Sequence, residues 1–116
     1  MKSGLSKSRL IAWRQCPKRL WLEVNQPGLR EITPEMERRF QVGHLVGAIA
    51  RHLEGDGLLI EHENDLKAAL AATQQALAQQ YGRPLFEPAF QHDGLLVRVD
   101  LLVPRGRTWQ LVEVKS

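Results

Sequence analysis

Apolar residues in the first part of the chain recur at intervals of three and four, the spacing of helices that bury one face. The pattern predicts a helix over Leu5–Trp13, with Ser6 or Ser8 as its capping residue. Pro17 favours the start of a second short helix, Lys18–Val24, because proline fits the first helical turn without losing a hydrogen bond. The chain is therefore expected to open with two helices.

The clearest helix start lies at Thr33, a capping residue that is followed by proline at the first helical position. The helix is predicted to run to about Leu53 and to stop at Gly55. Its apolar stripe consists of Met36, Phe40, Gly43, Val46 or Gly47, Ala50 and Leu53. The glycines in this stripe predict that another element packs closely against it.

A short strand and a further helix complete the first part of the chain. Gly57–Glu61 has the composition of a strand, and Asn64 is the predicted cap of a helix over Asp65–Gln80. The predicted inner face of that helix consists of Leu66, Leu70, Thr73 and Leu77. Gly82 and Pro84 are expected to end it.

From residue 85 onward the pattern changes to the alternation typical of strands. Three strands are predicted, Leu85–Gln91, Leu95–Val103 and Thr108–Lys115, and Pro88 marks a bulge or an edge in the first. The prediction is one α+β domain over residues 1–116. Residues 1–84 are expected to be mainly helical and residues 85–116 to form a three-stranded antiparallel meander.

The last hairpin brings charged residues together. A turn centred on Arg105-Gly106, with a loop of two or four residues, places Asp100 opposite Leu111. Glu113 then lies on the same face as the diagonal neighbour of Asp100, and Lys115 comes next on that face. An odd number of loop residues would separate the two acids. The predicted site therefore depends on this turn.

Two carboxylates on one sheet face repel each other unless a cation lies between them. Asp100 and Glu113, the main-chain carbonyl of Val114 and several waters match the oxygen ligands that Mg²⁺ or Mn²⁺ takes. Such a cation promotes phosphodiester hydrolysis, and Lys115 would orient the attacking water or stabilise the charge that develops on phosphorus. The alternative is that Glu113 and Lys115 form a solvated ion pair.

Positive charge is concentrated at the start of the chain. The first 22 residues contain six basic residues and no acidic one, whereas the remainder contains ten basic and thirteen acidic residues. Trp13 and Trp21 lie among the basic residues, and cations beside flat rings suit a nucleic-acid backbone and its bases. The candidate nucleic-acid contacts are Lys7, Arg9, Arg14, Lys18 and Arg19. The alternative is a solvated helix face whose tryptophans turn into the core.

The segments "RVD" and "EVK", separated by twelve residues, resemble the PD-(D/E)XK nuclease superfamily in its RecB-like branch. "LSKSRLIAWRQCPKRLWLE" is similar to the opening of RecB-like CRISPR-associated exonucleases. Together with "GHLVGAIAR" it is closer still to a bacterial family of RecB-like proteins. The resemblance covers nearly the whole chain and implies a restriction-endonuclease-like fold.

The resemblance also implies roles for individual residues. Asp100 and Glu113 would ligate the metal, and Lys115 would be catalytic. Glu87 matches an acid on the preceding strand that serves as a further ligand or supports one, and the alternative is a surface charge beside Pro88. His44 resembles the histidine that such proteins contribute to the metal from a helix, although its spacing after glycine is shorter, and the alternative is a packed histidine.

Cys16 stands in a "CPKR" context in which related proteins bind an iron–sulfur cluster together with three further cysteines. This chain has no other cysteine, so an iron–sulfur cluster is not expected. Cys16 is instead expected to be a buried, apolar thiol. The apolar run from Leu10 to Trp13 is too short for a signal peptide or a membrane span. A cytoplasmic protein that does not enter the membrane is therefore predicted.

The sequence predicts a Mg²⁺-dependent or Mn²⁺-dependent nuclease that acts on DNA. The alternative is a non-catalytic nucleic-acid-binding or accessory module, or an inactive fragment of a longer protein. The resemblance implies a helix, a strand and a tyrosine-containing motif after the "EVK" strand, so the chain is expected to be the N-terminal piece of a longer protein with an incomplete core. Self-association through an uncovered sheet is a further expectation.

Overall fold

A computed structural model describes residues 4–62, 64–79 and 82–116. The chain is an α+β protein. Its helices are α1 (Lys7–Gln15), α2 (Pro17–Asn25), α3 (Pro34–Glu54) and α4 (Leu66–Ala78), with a 3₁₀ turn at Pro27–Leu29. Its strands are β1 (Leu5–Ser6), β2 (Leu58–Leu59), β3 (Leu85–Phe86), β4 (Ala89–His92), β5 (Leu95–Arg98), β6 (Leu101–Arg105) and β7 (Thr108–Val112). None of its described helices is long and apolar enough to span a membrane.

Local capping signals set the ends of the helices. Ser6 accepts a hydrogen bond from the Arg9 N–H at the start of α1, and Thr33 accepts one from the Met36 N–H at the start of α3. Gly55 ends α3 with φ of 87°, as predicted. The cap of α4 is Asp65 rather than Asn64, because the Asp65 carboxylate accepts the Ala68 N–H. The predicted helix end at Gln80 lies outside the described residues.

The strands form two mixed sheets rather than one antiparallel meander. One sheet has the order β1-β5-β4 and the other the order β2-β3-β6-β7; β1 and β2 each join a neighbour in parallel. The predicted first strand is interrupted at Glu87-Pro88 and the second at Val99-Asp100. Glu87 has φ of 58° and Pro88 has no N–H to donate, so regular strand geometry is interrupted there, although the Glu87 N–H and the Pro88 carbonyl stay hydrogen-bonded. β1 was not predicted because two residues carry no periodic pattern.

Both interruptions keep the antiparallel register. Phe86 pairs with Leu101 before the break and Ala89 pairs with Arg98 after it. Inside the break, the Glu87 N–H donates to the Asp100 carbonyl at 3.0 Å. Glu87 therefore lies directly opposite Asp100.

The final hairpin turns one residue later than predicted. Arg105 pairs with Thr108, so Gly106 and Arg107 form the loop. Gly106 has φ of 62° and takes the first loop position, where one of the two favoured hairpin turns places glycine. Leu102, not Asp100, consequently faces Leu111.

The larger sheet has buried residues on both of its faces. Leu85, Val99 and Leu102 pack with Ala76 of α4, and Thr73 of α4 accepts the Ala89 N–H at 3.0 Å. On the opposite face, Phe86, Leu101 and Val103 form a cluster against which Ala50 of α3 packs.

The predicted inner stripe of α3 is only half-buried. No residue of α3 is buried, and Phe40 and Leu53 are exposed. A β-carbon added at Gly43 would meet no atom within 4 Å, so the predicted close packing at that glycine is wrong. In α4 the inner face consists of Ala69, Thr73 and Ala76, with Leu70 and Leu77 at its sides and Leu66 exposed.

Candidate functional site

The break in the central strands brings several predicted site residues to one cavity. Glu87 and Asp100 lie opposite each other, and Val114 and Lys115, which follow Glu113 after the end of β7, lie beside Asp100. Helix α3 supplies His44 from across the cavity. The cavity has a volume of about 300 Å³. The break thus places two half-buried acidic residues, Glu87 and Asp100, at one cavity.

The carboxylate of Asp100 is fixed by the main chain. Its Oδ2 atom accepts a hydrogen bond of 2.8 Å from the Val114 N–H. The β6–β7 ladder ends at the pair of Leu101 and Val112, and the Asp100 side chain takes the place of the next main-chain acceptor. Within the described part of the chain, Oδ1 of Asp100 has no partner. One oxygen is therefore anchored while the other remains available to a ligand.

Glu113 points to a second cavity. That cavity, of about 380 Å³, is lined by Lys7, Asp100 and Glu113 among others. Oε1 of Glu113 binds the ammonium of Lys7 and, at 3.1 Å, that of Lys115. The hydrogen bond from Lys7, followed by that from Lys115, holds the pKa of Glu113 below its ordinary value.

The structure brings Glu113 and Lys115 together, since their side chains bind each other at 3.1 Å, and it places Asp100 beside them through the Val114 N–H. Asp100 borders both cavities, Glu113 borders that of Lys7, and Lys115 borders that of His44. Strict alternation fails at the break, because Val99 and Leu102 pack in the same cluster although three positions separate them.

Glu87 and His44 reach the cavity by different routes. Glu87 is held in its left-handed conformation partly by Arg98, whose guanidinium donates to the carbonyls of Glu87, Ile60 and His62. His44 projects from an exposed part of α3. Neither side chain has a hydrogen bond or an ion pair among the described residues. Across the same residues, no three His, Cys, Asp or Glu side chains converge closely enough to hold a metal ion.

The basic segment presents its aromatic rings to solvent. Trp13 and Trp21 are 54% and 55% exposed, so the alternative in which they turn into the core is wrong. Arg14 and Lys18 are exposed and have no partner among the described residues. The other candidates are already engaged: Lys7 binds Glu113, Arg9 donates to the Gly4 carbonyl, and Arg19 binds Gln15 and Glu23.

Cys16 lies between α1 and α2 and is exposed, which corrects the expectation of a buried thiol. Its N–H donates to the Ala12 carbonyl and ends α1, and Pro17 begins α2 at the next residue. Its place is therefore set by the junction of two helices rather than by burial in the core.

Two residues at the cavities were missed by the sequence analysis. Arg51 borders the cavity of His44 because it lies seven residues later on the same helix, a spacing that places both on one face. Arg98 fixes the break, and a charge within the apolar run "LLVRVDLLV" was the signal for it. The pairing of Lys7 with Glu113 had no local signal, because 106 positions separate them.

Comparison with known proteins leaves this site without a counterpart. No family model, no curated protein and no solved structure matches the chain. A function for the two cavities must therefore be argued from the chemistry of the residues that line them.

Proposed function

We propose that this chain is a metal-dependent nuclease domain that hydrolyses phosphodiester bonds of DNA. One observation carries the proposal: Asp100 borders two adjoining cavities, with Glu87, His44 and Lys115 around one and Glu113 in the other. The resemblance of "RVD" and "EVK" to the PD-(D/E)XK superfamily supports the same function. We propose a nuclease of the RecB-like type.

The donor chemistry of the site fits a hard divalent cation. Asp100 keeps one oxygen without a partner among the described residues while Val114 anchors the other, and Glu113 is adjacent. Mg²⁺ is commonly held by one or two carboxylates and completes its shell with water and substrate phosphate, so a cluster of three side chains is not required. Asp100, Glu113 and the carbonyl of Val114 would hold Mg²⁺ or Mn²⁺, with Glu87 and His44 as further ligands.

The chain's own groups have distinct tasks in this proposal. A bound cation supplies polarisation of the phosphoryl group and a water of lowered pKa. Lys115, exposed at the mouth of the cavity, would orient the attacking water or stabilise the developing negative charge. The water oxygen forms a new bond to phosphorus, the bond to the leaving sugar oxygen breaks, and a proton passes to that oxygen.

Helices α1 and α2 would hold the nucleic acid. The free cations of Arg14 and Lys18 suit phosphate, and the exposed rings of Trp13 and Trp21 suit stacking with bases. Binding through phosphate contacts is expected to weaken steeply with salt.

Calorimetric titration of Mn²⁺ tests the metal site directly. We expect binding to the wild-type chain and its loss in Asp100→Asn, because the variant removes the charge of the central ligand. Asp93→Asn is the matched control, since Asp93 lies exposed in the β4–β5 turn. Equal binding to the wild type and Asp100→Asn, or none to either, would contradict the proposal.

A non-catalytic nucleic-acid-binding module is the second candidate. It is favoured by the exposed tryptophans of the basic segment and by the absence, among the described residues, of three converging metal ligands. Glu113→Gln distinguishes the two functions. In a nuclease it abolishes Mg²⁺-dependent cleavage and leaves DNA affinity unchanged, whereas in a binding module no cleavage is present to lose.

A further inference from the structure

Lys7 is held in place by the segment that precedes it. Leu5 and Ser6 form β1, which pairs in parallel with Leu95 and Leu96 of β5, and the Leu5 N–H donates to the Gly94 carbonyl at 2.8 Å. Ser6 then caps α1, so Lys7 is the first helical residue. Since β5 runs on toward Asp100, this anchoring sets Lys7 beside the strand break.

Lys7 lies in the cavity that both acids of the proposed metal site border. It binds Oε1 of Glu113 and shares a cavity with Asp100. Lys115, in contrast, binds Glu113 from the side of the other cavity.

We propose that the ammonium of Lys7 occupies a cation position at Glu113, in the cavity that Asp100 also borders, and that a divalent cation must displace it to bind both carboxylates. The inference rests on the proposed function, because it concerns the same pair of acids. Lys7 is thus a built-in competitor that neutralises Glu113 until the metal arrives. The sequence predicts Lys7 as a nucleic-acid contact. A Lys7 side chain displaced by metal would be able to reach a phosphate.

The strength of this competition is limited by exposure. The side chains of Lys7 and Glu113 are 58% and 46% exposed, and an ion pair of that kind is weak because water screens it. Removing the competitor should therefore raise the affinity for a divalent cation by about two- to fivefold. A gain in affinity of this size is expected for an ion pair that a divalent cation can displace.

The experiment is calorimetric titration of Mn²⁺ into the wild type, Lys7→Met and Lys7→Gln. Both variants remove the charge, and glutamine keeps a polar group in case methionine disturbs the fold. We expect both to bind Mn²⁺ about two- to fivefold more tightly than the wild type. Lys18→Met is the matched control, because it removes one charge from the same basic segment without touching Glu113.

The Lys115→Met variant tests whether the gain in Mn²⁺ affinity depends on the position of Lys7 or only on the positive charge near Glu113. It also removes an ammonium from Oε1 of Glu113, but from the other cavity. We expect a smaller gain in affinity than for Lys7→Met. An equal gain would attribute the effect to net charge near Glu113 and would overturn the inference.

The remaining outcomes of the Mn²⁺ titrations test the role of Lys7 separately from the proposed metal site. If the wild type binds Mn²⁺ through Asp100 and the Lys7 variants bind no more tightly, the inference is wrong and the metal site stands. If no variant binds Mn²⁺, both proposals are wrong.

Discussion

Glu87 lies directly opposite Asp100 in the central antiparallel pair, although neither residue belongs to a regular strand. The Glu87 N–H donates to the Asp100 carbonyl at 3.0 Å, and the Val99 N–H donates to the Pro88 carbonyl at 3.0 Å. Since the register is the same on both sides, the break is a local change of backbone direction rather than a slip of the strands. It places two acidic residues side by side at the edge of a cavity.

The backbone of Glu87 is unfavourable for its residue type. Its φ of 58° lies in the left-handed region, which costs a residue with a β-carbon about 1–2 kcal/mol. We expect Glu87→Gly to leave the free energy of unfolding unchanged or to raise it by about 1 kcal/mol, because glycine adopts this conformation without strain. Urea denaturation measures the change.

A control at an ordinary strand position gives the comparison. Gln91 lies exposed in β4, and Gln91→Gly should lower the free energy of unfolding by roughly 0.5–1 kcal/mol. If Glu87→Gly destabilised the protein as much as Gln91→Gly, the side chain of Glu87 would be stabilising the fold. A strained acid whose removal does not harm the fold is typical of a functional position.

Arg98 is expected to hold the break together. Its guanidinium donates to three carbonyls, those of Ile60, His62 and Glu87. Arg98→Ala should lower the free energy of unfolding by roughly 1.5–3 kcal/mol, because charged hydrogen bonds are lost and half-buried carbonyls lose their donor. Exchange of the Ile60 backbone amide hydrogen with solvent should also become faster.

Two variants serve as controls for this prediction. Arg98→Lys should recover only part of the stability, because an ammonium cannot reach three carbonyls in the fixed geometry of a guanidinium. Arg107→Ala in the β6–β7 turn, which removes an exposed arginine, should change stability by less than about 0.5 kcal/mol. If Arg98→Ala were equally mild, Arg98 would not be fixing the break.

The elements that could be predicted from sequence are those whose signals are local. Thr33, Pro34 and Gly55 fix both ends of α3 through contacts within a few residues, and these predictions are confirmed. The α+β class followed from the change of period near residue 85, and that prediction is confirmed as well. Local capping and periodicity therefore carry most of the secondary structure.

The candidate site was predicted less completely, because it depends on backbone geometry and long-range contacts. Nothing in the local pattern distinguishes a left-handed Glu87 from an extended one, yet that conformation splits the strand. The turn was placed one residue early, which altered the partner of Asp100. The pairing of Lys7 with Glu113 joins opposite ends of the chain and is visible only in the fold.

The hydrogen bond from Val114 to Asp100 should contribute measurably to stability. Asp100→Ala removes the charged acceptor of a half-buried N–H and should lower the free energy of unfolding by roughly 1.5–3 kcal/mol. Asp100→Asn retains a neutral acceptor and should lose less. A fall in hydrogen-exchange protection of the Val114 amide in Asp100→Ala would localise the effect, and unchanged protection would contradict it.

The ion pairs of Glu113 lead to a prediction about pH. Lys7 and Lys115 hold the pKa of Glu113 below its ordinary value, so the carboxylate stabilises the fold above that ordinary value. The stabilisation is lost as the pH falls through the lowered pKa. Lys7→Met should raise the pKa of Glu113 toward its ordinary value, because it removes the largest cause of the shift. The stabilisation should then be smaller, and its loss should be complete at a higher pH.

Carbon-13 NMR titration of the Glu113 side-chain carboxyl measures this pKa directly. Lys18→Met should leave the titration of Glu113 unchanged, because Lys18 has the same charge but no contact with this carboxylate. Lys115→Met should give a smaller rise than Lys7→Met, since its hydrogen bond is the second cause of the shift. If the Glu113 titration were the same in Lys7→Met and in the wild type, the two side chains would not be paired in solution. Lys7 would then not occupy a cation position at Glu113.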